Sequence, residues 1–147
     1  MGDIPANVSR GLVLGEATAF FFFIANLYVI LHFLQTLLFP KADVTWLKAM
    51  GKRWHYVHYF GNIAAAVAAL IHGLSLWPYA SVWHWVLIAL LVWMVGAGVT
   101  MRFIKVPPTV KKTLRKFHAK WYMLAIIIVV LLLAHFVSLQ NFPYPVG

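Results

Sequence analysis

The sequence predicts an all-α integral membrane protein, a four-helix up-down-up-down bundle with both termini outside, on three observations. Hydrophobic residues make up 63% of the 147-residue chain and charged residues only 10%, a composition suited to a protein whose solvent is lipid. Four segments, 12–39, 55–77, 83–104 and 118–139, each hold about 20 or more predominantly apolar residues, enough to cross a hydrocarbon core of roughly 30 Å. Eleven of the 12 Lys and Arg residues lie in two of the connecting segments, and a one-sided cationic bias of this kind sets orientation in a membrane. The whole chain, 1–147, reads as one transmembrane domain.

Each span has a reason to start and stop. The opening "MGDIPANVSRG" lacks a basic leader region and a small-residue cleavage site, and the apolar run after it is too long for a signal peptide, so it is expected to be retained. Pro40 closes the first span, Trp77-Pro78 the second, Pro107-Pro108 follows the third and Pro143 the fourth, each where a helix must end. Short connections make successive helices antiparallel. The segment "PPTVKKTLRKFH" is expected to start the fourth helix early, as a basic extension at the membrane surface that touches anionic lipid or docks an acidic cytoplasmic partner.

One basic loop carries Lys41, Lys48, Lys52 and Arg53, and the other runs from Arg102 through Lys105, Lys111, Lys112, Arg115 and Lys116 to Lys120, whereas the opposite side has only Arg10. The positive-inside rule makes both basic segments cytoplasmic and the protein a multi-pass component of the cytoplasmic membrane. Trp and Tyr gather at the span ends, among them Trp46, Trp54, Tyr56, Trp77, Tyr79, Trp83 and Trp121, as an interfacial aromatic belt does. The net charge of +9 resides in short loops between apolar spans, which argues against nucleic acid as a partner. With no cysteine, disulfides, thiolate-held iron–sulfur clusters and covalently attached c-type haem are excluded.

Seven histidines in such a chain call for a chemical explanation, because intramembrane polar groups are expensive. His58 and His72 are fourteen residues apart on the second span, close to four helical turns, so they share a face and stand about 21 Å apart along the axis. The fourth span places His118 near its inner start and His135 near its outer end. "RWHYVHY" and "KFHAKWY" form a weak internal echo that aligns His55 with His118, Tyr59 with Tyr122 and His72 with His135. His72 and His135 reach the same outer level on helices that run in the same direction. A planar metal macrocycle between them would be held from both faces, which is bis-histidine haem ligation. The inner pair matches less simply: His118 and His135 are seventeen residues apart, about 100° out of phase on an ideal helix. His58 with His118 is the first choice for that layer and His55 and His32 are reserves. Small-residue stretches, "GNIAAAVAA" and "VGAGVT", leave room for a bulky ring or for close helix packing.

Paired histidines on the second and fourth of four helices resemble the di-haem b-type cytochromes that serve formate dehydrogenases, hydrogenases and related respiratory enzymes. The segment "WHYVHYFGNIAAAVAALIH" also looks like a helix of the ferric-reductase-like membrane domains. The resemblance implies two non-covalent b haems, axial ligands His58, His72, His118 and His135, and transmembrane electron transfer between a quinone pool and a partner redox subunit or a second copy of the chain. It departs from those families in the seventeen-residue interval of the fourth span. The expected role is a non-catalytic electron-transfer subunit, since no loop is long enough for a catalytic domain. Inner haem propionates would meet Arg53, Arg102 or Lys120, and outer ones Arg10, His84 and tyrosines. Glu16, the one acidic residue well inside a span, is a candidate proton acceptor at an outer quinol site or a protonated structural carboxyl. The alternative reading is a membrane metal-ion transporter that uses the same histidines, and a third is an anchoring subunit without a redox centre.

Overall fold

A computed structural model describes residues 4–42, 44–140 and 142–143. Among them there are helices and no strand: α1 (Ala6–Leu38), α2 (Thr45–Ser75), α3 (Val82–Phe103), α4 (Pro108–His118) and α5 (Trp121–Leu139), with a 3₁₀ turn at Trp77–Tyr79. Four of them, α1, α2, α3 and α5, are long and apolar enough to cross a membrane.

Local chemistry sets the boundaries. Phe39 leaves the helical region at φ −136° and ψ 62° because the Pro40 ring disfavours α geometry in the residue before it. Helix α2 begins ten residues ahead of the apolar stretch expected at 55. Hydropathy registers only the apolar part of a helix, whereas its hydrogen bonds continue through polar residues that contain no breaker. At the start of α3 the Ser81 backbone N–H donates to His84 Nδ1 at 3.1 Å, so one free helical donor is satisfied by a side chain three residues on.

The fourth span differs from expectation. The basic segment is not an early start of the last helix but a separate helix, α4, and the chain breaks at Ala119-Lys120 before α5 begins at Trp121. Lys120 is extended, at φ −95° and ψ 132°. This break removes the phase conflict between His118 and His135, because the two no longer belong to one continuous helix.

Contacts along the helices establish the antiparallel order. Gly11 of α1 lies beside Leu76 at the end of α2, and Tyr28 of α1 lies beside Gly51 near its start. Phe103 at the end of α3 meets Tyr59 of α2, Phe33 of α1 stacks on Trp121 at the start of α5, and Ser138 at the end of α5 donates to the Tyr79 carbonyl at 3.0 Å. The end of the bundle where α1 begins is called upper here. The chain order therefore puts eleven of the 12 cations at the lower end and Arg10 alone at the upper.

Two seams hold the bundle. Helices α1 and α2 approach so closely that a Cβ on Gly61 would lie 2.8 Å from Ala25 Cβ, the small-residue contact by which helices associate where hydrophobic burial offers no gain. Asn26, 6% exposed, reinforces this seam by donating to Asn62 Oδ1 at 2.9 Å and to the Phe22 carbonyl at 2.8 Å. Removing that link with Asn26→Ala is expected to cost about 1 kcal/mol, read as a lower unfolding midpoint in detergent. Helices α3 and α5 meet through Leu87, Ile127 and Val130. Large apolar side chains such as Phe23, Val67, Leu74 and Phe136 face outward, where lipid solvates them.

Candidate functional site

Helices α2 and α5, which carry most of the histidines, are not among the closely packed pairs; α1 packs on α2, α2 on α3, and α3 on α4 and α5. The gap between α2 and α5 is a cavity of about 600 Å³, within the range of small-molecule and cofactor sites. Its wall is mainly apolar, and it runs from His84 and His135 at the upper level to His118 and Lys120 at the lower.

At the upper level the His72 and His135 rings are 6.1 Å apart between centroids with only 6° between their planes. At the lower level the His58 and His118 rings are 6.2 Å apart, nearly perpendicular at 84°. Two imidazoles on opposite sides of one metal ion need a metal–nitrogen bond of about 2 Å each and about 1.1 Å from nitrogen to ring centroid, which sums to about 6.2 Å. Both pairs have this separation, and free rotation about a metal–imidazole bond accommodates either interplanar angle.

Hydrogen bonding assigns the free nitrogens. A carbonyl only accepts, so His72 Nδ1–H donates to Gly11 O at 2.7 Å and His135 Nδ1–H to Leu131 O at 2.9 Å, whereas His58 Nδ1 lies 3.2 Å from both the Ala25 carbonyl oxygen, an acceptor, and Asn62 Nδ2, a donor. The His72 and His135 rings are thereby in the tautomer that leaves the Nε2 lone pair unprotonated, the arrangement that orients metal-ligating histidines. Asn62 donates to the His58 backbone carbonyl at 2.7 Å and holds that turn of α2. At His118 the buried Nδ1 has no hydrogen-bond partner of good geometry among the described residues, and the Met94 backbone interacts with the ring. Burial holds the His118 pKa below the usual histidine value, and the neighbouring His58 acts in the same direction, so the ring is neutral at pH 7 and has a lone pair to give.

Glycine makes room for the rings. A Cβ on Gly15 of α1 would come within 2.8 Å of His72 Cε1, and one on Gly98 of α3 within 3.4 Å of His118 Cε1. Neither glycine, nor Asn26 or Asn62, is evident as a site residue in the sequence. The only signal for Asn62 is its position one turn after His58, and the glycines look like any small residue at a helix seam.

Other candidates are distributed unevenly. His84 lines the cavity with its ring 5.5 Å from that of His135. Its Nδ1 accepts from Ser81 N–H, which leaves Nε2–H as a donor. Lys120 lines the lower part of the cavity, and the Arg102 guanidinium lies 5.7 Å over the Tyr59 ring, another lining residue. Arg53 and Arg10 are exposed and outside the lining. Of the reserve histidines, His55 turns to its own helix, with Nδ1 2.6 Å from the Lys52 carbonyl oxygen and its ring against Tyr56. His32 sits exposed at the lower rim, stacked on Tyr28 at 5.8 Å. Neither forms an opposed imidazole pair. Glu16 is exposed on α1, outside the cavity lining. Comparison of the chain with protein-family models, with curated proteins and with solved structures finds no match.

Proposed function

We propose that the protein is a transmembrane electron carrier of the di-haem b type, in which His72 and His135 hold an upper haem and His58 and His118 a lower one. The observation that carries this reading is the recurrence of one separation, 6.1 Å and 6.2 Å between ring centroids, at two levels of one apolar cavity. When bound, haem supplies reversible one-electron chemistry, and ligation by two imidazoles leaves no open position for oxygen. The chain's own residues do the rest. Carbonyls of Gly11 and Leu131 fix two imidazole tautomers, apolar walls exclude water, and Lys120 and Arg102 supply cations for propionates at the lower end. At the upper end His84 offers Nε2–H in place of a cation.

By the positive-inside rule the lower end is cytoplasmic and the membrane is the cytoplasmic membrane. The donor and acceptor at the two ends are a quinone and a redox subunit or a second copy of the chain. Glu16, exposed on α1 and outside the cavity lining, would act as a proton acceptor only at an outer quinol site open to lipid or to such a partner. A metal-ion transporter would be expected to converge three or more ligands on one ion, and among the described residues no such group forms. A reduced-minus-oxidised absorption spectrum of the purified protein tests the proposal. Two equivalents of bis-imidazole haem per chain are expected; none, after expression with ample haem, would refute it.

A further inference from the structure

The fourth of the proposed ligands is not on a membrane span. His118 is the last residue of α4, an eleven-residue helix with no buried residue whose close packing is confined to α3. At about 100° per residue, Lys111, Lys112, Arg115 and Lys116 fall on one face of α4 and Val110, Leu114 and Phe117 on the other, with His118 at the boundary, about 20° from Lys111. All four cations are exposed. Glu16, far away at the upper end of α1, is the only acidic side chain among the described residues, so no carboxylate of the described chain neutralises that face. Val110 and Phe117 on the opposite face are 42% and 44% exposed, although His118 between them and α5 is seated against Gly98 and His58. Helix α4 joins a membrane-length helix through two residues only, so it must lie at the membrane boundary.

We infer that the basic face of α4 binds the headgroups of anionic phospholipid, and that this contact holds His118 opposite His58. A helix with cations along one side and exposed apolar groups along the other lies in the interface of an anionic leaflet, apolar side down. With so little protein contact to fix α4, the membrane supplies the missing restraint, and rolling the helix about its axis would carry His118 away from His58. The functional meaning of the inference rests on His118 as a haem ligand; its test does not.

Because the chain has no cysteine, spin labels can be placed cleanly at two exposed positions, Thr109→Cys on α4 and Phe60→Cys on α2. Their distance distribution is then measured in nanodiscs of phosphatidylcholine alone and of phosphatidylcholine with an equal amount of phosphatidylglycerol. One narrow population is expected in the anionic discs and a broad one in the neutral discs. The narrowing should vanish when Lys111, Lys112, Arg115 and Lys116 are all changed to Gln. Equal widths in the two lipids, or narrowing that survives the four substitutions, would overturn the inference. Widths that respond only to an added acidic polypeptide would overturn it too, by assigning the face to a protein partner. A protein without haem in its absorption spectrum would instead defeat the electron-carrier proposal and leave this measurement interpretable.

Discussion

Substituting His72 or His135 with alanine is expected to remove one of two haems and leave the other, so that the reduced-minus-oxidised amplitude falls by about half. Either member of the pair should produce the same loss, because a bis-imidazole site with one ligand missing loses the opposed geometry in which the rings stand 6.1 Å apart. His58→Ala and His118→Ala should remove the complementary half. The double substitution His72→Ala with His135→Ala should look like either single one, and His72→Ala with His58→Ala should abolish the spectrum. His55→Ala and His32→Ala should leave both haems in place, since neither ring opposes another imidazole across the cavity. Loss of haem on replacing His55 would contradict the assignment of ligands by pair geometry.

A second large effect is expected at a residue that touches no metal. Gly15→Val would place a Cβ 2.8 Å from His72 Cε1 and 2.9 Å from Nδ1, closer than atoms can approach, against a ring already tied to the Gly11 carbonyl at 2.7 Å. Either the ring leaves its position or α1 moves off α2, at a cost of about 1–3 kcal/mol. The upper haem should be lost and the lower retained, with a lowered unfolding midpoint. Gly96→Ala is the matched control, since nothing lies within 4 Å of a Cβ there; its spectrum should be unchanged and its unfolding midpoint not lowered, since alanine is the better helix former. If Gly15→Val kept both haems, the His72 ring position described here would be wrong.

Spacing alone reached part of this arrangement. His58 and His72 are set fourteen residues apart on an unbroken helix, so their common face follows from helical geometry. Equal depth of His72 and His135 follows from counting back to the span ends. His118 could not be placed by the same arithmetic, because the count assumed a continuous last helix and gave a phase error of about 100°. The turn at Ala119-Lys120 invalidates that assumption. Glu16 illustrates the opposite limit: its depth is legible from hydropathy, but which way it faces depends on how α1 packs, and α1 turns it outward.

What the sequence by itself determined is the class of protein and the vertical order of its chemistry. Four apolar helices, cations gathered at one end and imidazoles in two layers are consequences of composition and of rise per residue, which are local properties. Only the tertiary structure decided which rings face each other, which tautomers His72 and His135 hold and where Gly15, Gly98 and Asn62 act. Those depend on helix rotation, on the break before α5 and on the approach of backbones across a seam, and a rotation of one helix changes all of them without altering any span.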